Sequence, residues 1–100
     1  MNILARSHFL NRLRIEKRRV DRSKAPLSVV LFSFHIKERD NVRQIQEFLS
    51  SLHRNTRETD IKGWVDNDVI GLILPDTDVT GAKKYVEKIK MVMEVQLFPQ

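Results

Sequence analysis

Ser33 and His35 lie two residues apart in an extended apolar run, so a strand there would put a hydroxyl and an imidazole on one face. That is where a nucleophile and its base would be sought, but no strained glycine-flanked turn surrounds the serine, and hydrolase-type catalysis is not expected. Asp66, Asp68, Asp76 and Asp78 form an acidic cluster that would attract a cation. They lack the Asp/Asn-Gly spacing of a calcium loop, and turn and capping duty accounts for them better. His8, His35 and His53 are far apart, with no ligand set at helical spacing, so no metal site is assigned. With no cysteine, thiolate catalysis, disulfides and the usual zinc motifs are excluded. Arg57 and Asp60 place a guanidinium and a carboxylate at a helix-to-strand corner, where they would pair with each other.

These residues need elements to position them. The 100-residue chain, 41% hydrophobic and 31% charged, suits one globular domain with its own core and no folding cofactor. Residues 3 to 21 are predicted as a first helix, with Ile3, Leu4, Phe9, Leu10, Leu13 and Val20 as a broken apolar stripe. Pro26 closes it, because proline disfavours helix at Ala25. Leu27 to Phe34 is an almost unbroken apolar run, the pattern of a central strand covered on both faces. Asn41 and Gln44 have capping-box spacing, and Val42, Ile45, Phe48, Leu49 and Leu52 share one face of a second helix ending near His53 to Thr56. Ile61 to Val65 and Val69 to Leu74 read as a hairpin around Asp66 to Asp68. Pro75 stops it, Asp78 or Thr80 caps a third helix running to about Met91, and Met93, Val95 and Leu97 alternate as a last strand.

A βαββαβ order is the ferredoxin-like α+β arrangement, an antiparallel sheet with helices on one face, here preceded by an N-terminal basic helix. The expected division is residues 1-24 for that helix and 25-100 for the sheet domain. Of the net charge of +5, residues 1-24 hold +6, eight Lys/Arg against Glu16 and Asp21. An acidic partner or anionic surface would be drawn there. No apolar run is long enough for a membrane span, and Arg6, Arg12 and Arg14 interrupt the N-terminus in a way that does not fit a signal peptide. A cytoplasmic setting is expected. Trp64 reads as a packing residue, and the RNA-recognition aromatic motif is absent, so nucleic acid is only a secondary alternative.

The residues also carry a resemblance. Glu16, Arg19 and Arg22 leading into PLSVVLF (Pro26 to Phe32), RETD at Arg57 to Asp60, the hairpin, and LPDTD at Leu74 to Asp78 followed by Gly81 and Ala82 resemble a diguanylate cyclase (GGDEF) domain. Aligned on Leu74 and Pro75, the signature pentapeptide falls on Asp66, Asn67, Asp68, Val69 and Ile70. Both glycines that let backbone approach the guanine nucleotide are replaced, and the acidic metal-binding fourth position is Val69. Ser33 and His35 stand where the family keeps aspartates for divalent ions, and the loop that follows is largely deleted. The resemblance is therefore to a degenerate, truncated member that does not cyclise GTP.

What survives is Arg57 and Asp60, matching the family's RxxD inhibitory motif, which implies cyclic di-GMP as a candidate ligand. Gly63 to Thr77 also resembles shortened versions associated with bacterial exopolysaccharide or sugar-transferase proteins. The expectation is an enzymatically inactive regulatory or protein-interaction module without a cofactor. It would engage a protein partner or a second copy through the N-terminal helix. The alternative is a cyclic di-GMP receptor.

Overall fold

The apolar run from Leu27 becomes the strand around which everything else is arranged. The computed structural model describes residues 3–33, 41–89 and 94–99. Its elements are α1 (Arg6–Ser23), β1 (Leu27–Ser33), α2 (Asn41–Asn55), β2 (Ile61–Asp66), β3 (Val69–Pro75), α3 (Val79–Lys88) and β4 (Glu94–Pro99). The four strands form one sheet in the order β2-β3-β1-β4, every neighbouring pair antiparallel. This is the ferredoxin-like topology expected from the element order.

Alternation along the strands divides the core in two. Val30, Phe32, Ile70, Leu72 and Leu74 face α2 and α3, packing on Phe48, Leu52 and Ala82, with Trp64 partly buried against them. Phe32 and Phe48 meet edge to face, ring centroids 4.9 Å apart. On the opposite face, Leu27 and Ile73 pack with Phe9 of α1, flanked by Leu4, Leu13, Val20, Ile61 and Val65. The sheet is thus covered on both faces, which is why β1 reads as continuously apolar.

Phe9 fixes how α1 sits. Gly63 of β2 and Gly71 of β3 are register partners, and a Cβ built on either would lie 2.5 Å from the Phe9 ring. The glycines are there because the ring occupies the space their side chains would need. Leu4 adds a short parallel bridge at the β2 edge: its amide donates to the Lys62 carbonyl and its carbonyl accepts from the Trp64 amide, both at 2.9 Å.

Several boundaries differ from expectation for local reasons. The first helix begins at Arg6 rather than residue 3 because Leu4 is spent on β2, and it runs to Ser23, closed by Lys24 in the left-handed region (φ 60°). The third helix ends at Lys88 rather than near Met91, since Ile89 turns extended. Asp78, not Thr80, caps that helix, its Oδ1 accepting the Gly81 amide at 2.8 Å. The hairpin turn keeps Asn67 and Asp68 at negative φ, and a register shift between Trp64 and Asp66 absorbs the mismatch that glycine would otherwise relieve. Phe34, the Asn41/Gln44 capping box, Met91 and Met93 lie outside the described residues or side chains.

The Phe9 seat is testable. Gly71→Ala should destabilise by about 1–3 kcal/mol through overpacking, and Phe9→Ala by about 3–5 kcal/mol through the cavity it leaves. In urea unfolding the double variant should lose clearly less than the sum, because the new methyl enters the vacated ring space; strictly additive losses would mean the two sites do not touch.

Candidate functional site

The corner between α2 and β2 is a turn closed on itself. The Asp60 amide donates to the Arg57 carbonyl at 3.0 Å, and Asp60 Oδ2 accepts the Arg57 amide at 2.8 Å. The Arg57 side chain then folds onto the same carboxylate, Nη2 to Oδ1 at 2.9 Å and Nε to Oδ1 and Oδ2 at 3.2 and 3.4 Å. The sequence expectation that these two residues pair across the corner is what the geometry contains. Burial is lopsided: the Asp60 side chain is 1% exposed and that of Arg57 54%.

Arg57 also reaches beyond its own turn. Nη2 donates to the Pro75 carbonyl at 2.9 Å and to Thr77 Oγ1 at 2.8 Å, at the corner between β3 and α3. Thr77 Oγ1 donates to the Pro75 carbonyl, and Ser28 Oγ on β1 donates to the Thr77 carbonyl at 2.8 Å. One guanidinium therefore ties two chain corners to the central strand. Hydrogen bonding to Asp60 and the nearby negative charges keep it more firmly protonated than usual, against a smaller effect of burial.

Arg57 and Asp60 stand as a shared wall between two clefts. One, of about 720 Å³, opens toward α1, where Arg12, Glu16 and Arg19 line it opposite His53 and Thr56. Glu16 is buried there with Arg19 Nη1 at 3.3 Å and Arg12 Nη2 at 3.7 Å. Lys62, also buried, donates to Thr56 Oγ1 at 3.0 Å just past the end of α2, where a cation offsets the negative end of the helix. The second cleft, of about 440 Å³, is bounded by Thr77, Asp78, Lys84, Tyr85 and Lys88. The Tyr85 hydroxyl is buried, with no hydrogen-bond partner among the described residues. Burial, and then the Asp60 charge, push its pKa well above the ordinary 10.0, with Arg57 opposing.

The pentapeptide Asp66, Asn67, Asp68, Val69 and Ile70 lies at the other end of the sheet, a β2 length of roughly 20 Å from the arginine. Asp66, Asn67 and Asp68 are exposed at the turn, the Asp66 carboxylate accepting the Asn67 amide at 2.8 Å, while Ile70 is fully buried in the core. The register sets Ser33 opposite Val69. His35 lies outside the described residues. Among the described residues no three His, Asp or Glu side chains are grouped to hold an ion, and no helix is long and apolar enough to cross a membrane.

Sequence reasoning singled out Arg57 and Asp60 but not their partners Pro75, Thr77 and Ser28, nor Tyr85. Contacts spanning 18 to 49 residues leave no local spacing signal. Pro75 and Thr77 lay within the LPDTD motif and Ser28 within PLSVVLF, the available hints.

No protein-family model matches the chain, and no curated protein matches it. Solved structures do. A DGC protein from Thermotoga maritima superposes with a TM-score of 0.83 at 17% identity, over 99% of this chain and 81% of its own. The GGDEF domain of DgcB from Caulobacter crescentus, in complex with c-di-GMP, superposes with a TM-score of 0.79 at 10% identity, over 99% and 70%. The chain has the fold of GGDEF domains, and at these identities the likeness is one of fold.

Two outcomes follow from the corner. Arg57→Ala should cost about 1–3 kcal/mol in denaturant unfolding, more than Asp60→Ala, because it leaves a buried carboxylate with one backbone amide for a partner, whereas the half-exposed guanidinium left by Asp60→Ala keeps Pro75, Thr77 and water. Tyr85 is the sole tyrosine, so tyrosinate absorbance reports it alone. Its midpoint should lie well above the ordinary value. An unfolded chain gives up that proton near pH 10 while the folded one keeps it, so stability should fall as pH rises past that point, and Tyr85→Phe should remove this component.

Proposed function

We propose that this chain is a GGDEF-fold module that condenses no nucleotide and acts by binding, in a regulatory role within bacterial signalling or exopolysaccharide synthesis. The observation that carries this reading is the register pair of Ser33 and Val69. The resemblance assigns metal-holding carboxylates to both positions, and a hydroxyl facing an isopropyl group does not fit Mg²⁺, which takes hard oxygen ligands in near-octahedral geometry. The turn beside them supports the same reading. Asp66 and Asn67 carry side chains where glycines would let backbone approach a base, and the Asp66 carboxylate is engaged by the Asn67 amide.

A second reading rests on a separate observation. Arg57 keeps half its side chain in solvent between two clefts, beside Lys84 and Lys88. A cyclic dinucleotide would meet cations for its phosphates in that cleft. The Caulobacter crescentus domain of like fold was solved with c-di-GMP. Against this, Arg57 already donates to Asp60, Pro75 and Thr77, so a ligand must compete with bonds the fold has made.

Incubation with GTP and Mg²⁺ should give no cyclic dinucleotide, and detectable product would overturn the main reading. Titration calorimetry with cyclic di-GMP separates the two: no heat leaves the module without this ligand, whereas binding that vanishes in a still-folded Arg57→Ala variant makes it a receptor.

A further inference from the structure

The outward face of α1 carries a ridge of cations whose one acidic neighbour on that side, Asp21, makes no ion pair with them among the described residues. Phe9, Leu13, Glu16 and Val20 turn toward the sheet. At 100° per residue, Arg14, Arg18 and Arg22 then point away from it, one turn apart and about 6 Å from one another. Like charges at this spacing disfavour a helix. Arg12 and Arg19 are turned back onto Glu16, but among the described residues Arg14, Lys17, Arg18 and Arg22 make no ion pair. The first turn of the helix has no acidic residue. Leu10 and Ile15, 40% and 42% exposed, flank the ridge on either side.

We propose that this face of α1 docks on an anionic lipid surface, with headgroup phosphates engaged by Arg14, Arg18 and Arg22, with Lys17 at the edge of the ridge, and with Leu10 and Ile15 meeting the boundary at its two margins. Charge complementarity carries the assignment. A cluster of this size on a helix is what a negatively charged leaflet attracts, and the 18-residue helix offers a straight edge of about 27 Å. A nucleic-acid duplex would satisfy the cations but leave two aliphatic side chains against a polyanion. A lipid surface accepts both. The inference rests on α1 alone and is independent of how Arg57 and Asp60 are read.

The test is co-sedimentation of the full chain with phosphatidylcholine vesicles with and without phosphatidylserine. The protein should partition onto the anionic vesicles only, and high salt should release it. R14A/R18A/R22A should lower partitioning roughly a hundredfold. L10S/I15S should lower it severalfold while leaving its salt dependence unchanged. All five side chains are exposed, so circular dichroism should show both variants folded. Absence of binding at low salt, or a triple variant that binds like wild type, would overturn the proposal. So would duplex DNA displacing the protein from vesicles while L10S/I15S binds as tightly as wild type, which would assign the ridge to nucleic acid.

Discussion

A carboxylate with 1% of its side chain in water is tolerable only when its charge and lone pairs are matched, and Asp60 meets that condition through one residue. Arg57 supplies its backbone amide and two side-chain nitrogens to Asp60, and still has donors for Pro75 and Thr77. Two corners distant in sequence are thereby fastened beside β1. The net worth of such a pair is modest, because the guanidinium is half in water and the desolvation of Asp60 must be offset first. Its value to the fold is geometric. It sets where α2 ends, where β2 begins and how α3 leaves the sheet.

The same link shapes what the protein offers a ligand. Arg57 forms the wall between two clefts, and whatever binds in either must share it with Asp60. At the far end of the sheet the chemistry is poorer. Ser33 faces Val69 across the β1–β3 ladder, and the turn is held by an Asp66 carboxylate bonded to its own neighbour's amide. The hairpin keeps its form without glycine because a bulge at its root takes up the twist.

A sheet covered on both faces also explains the division of labour among the helices. α2 and α3 enclose the larger core, while α1 is seated by one aromatic ring over a pair of glycines and by a buried glutamate between two arginines. Its remaining cations are left facing outward.

The elements and their order were legible in the sequence because each rests on a local pattern: the β-branched and aromatic run of β1, the alternation of β2, the apolar run of β3, and the apolar stripe of α2. Fold class followed from that order, and Arg57 with Asp60 was visible because a turn brings neighbours three residues apart together. Tertiary structure alone decided the rest. Phe9 reads as one member of a weak stripe until Gly63 and Gly71 become register partners beneath it, and Leu4 looks helical until β2 offers an open edge. Thr77, Ser28 and Tyr85 join the arginine corner only across strands and helices, so their roles depend on packing between segments that no local pattern encodes.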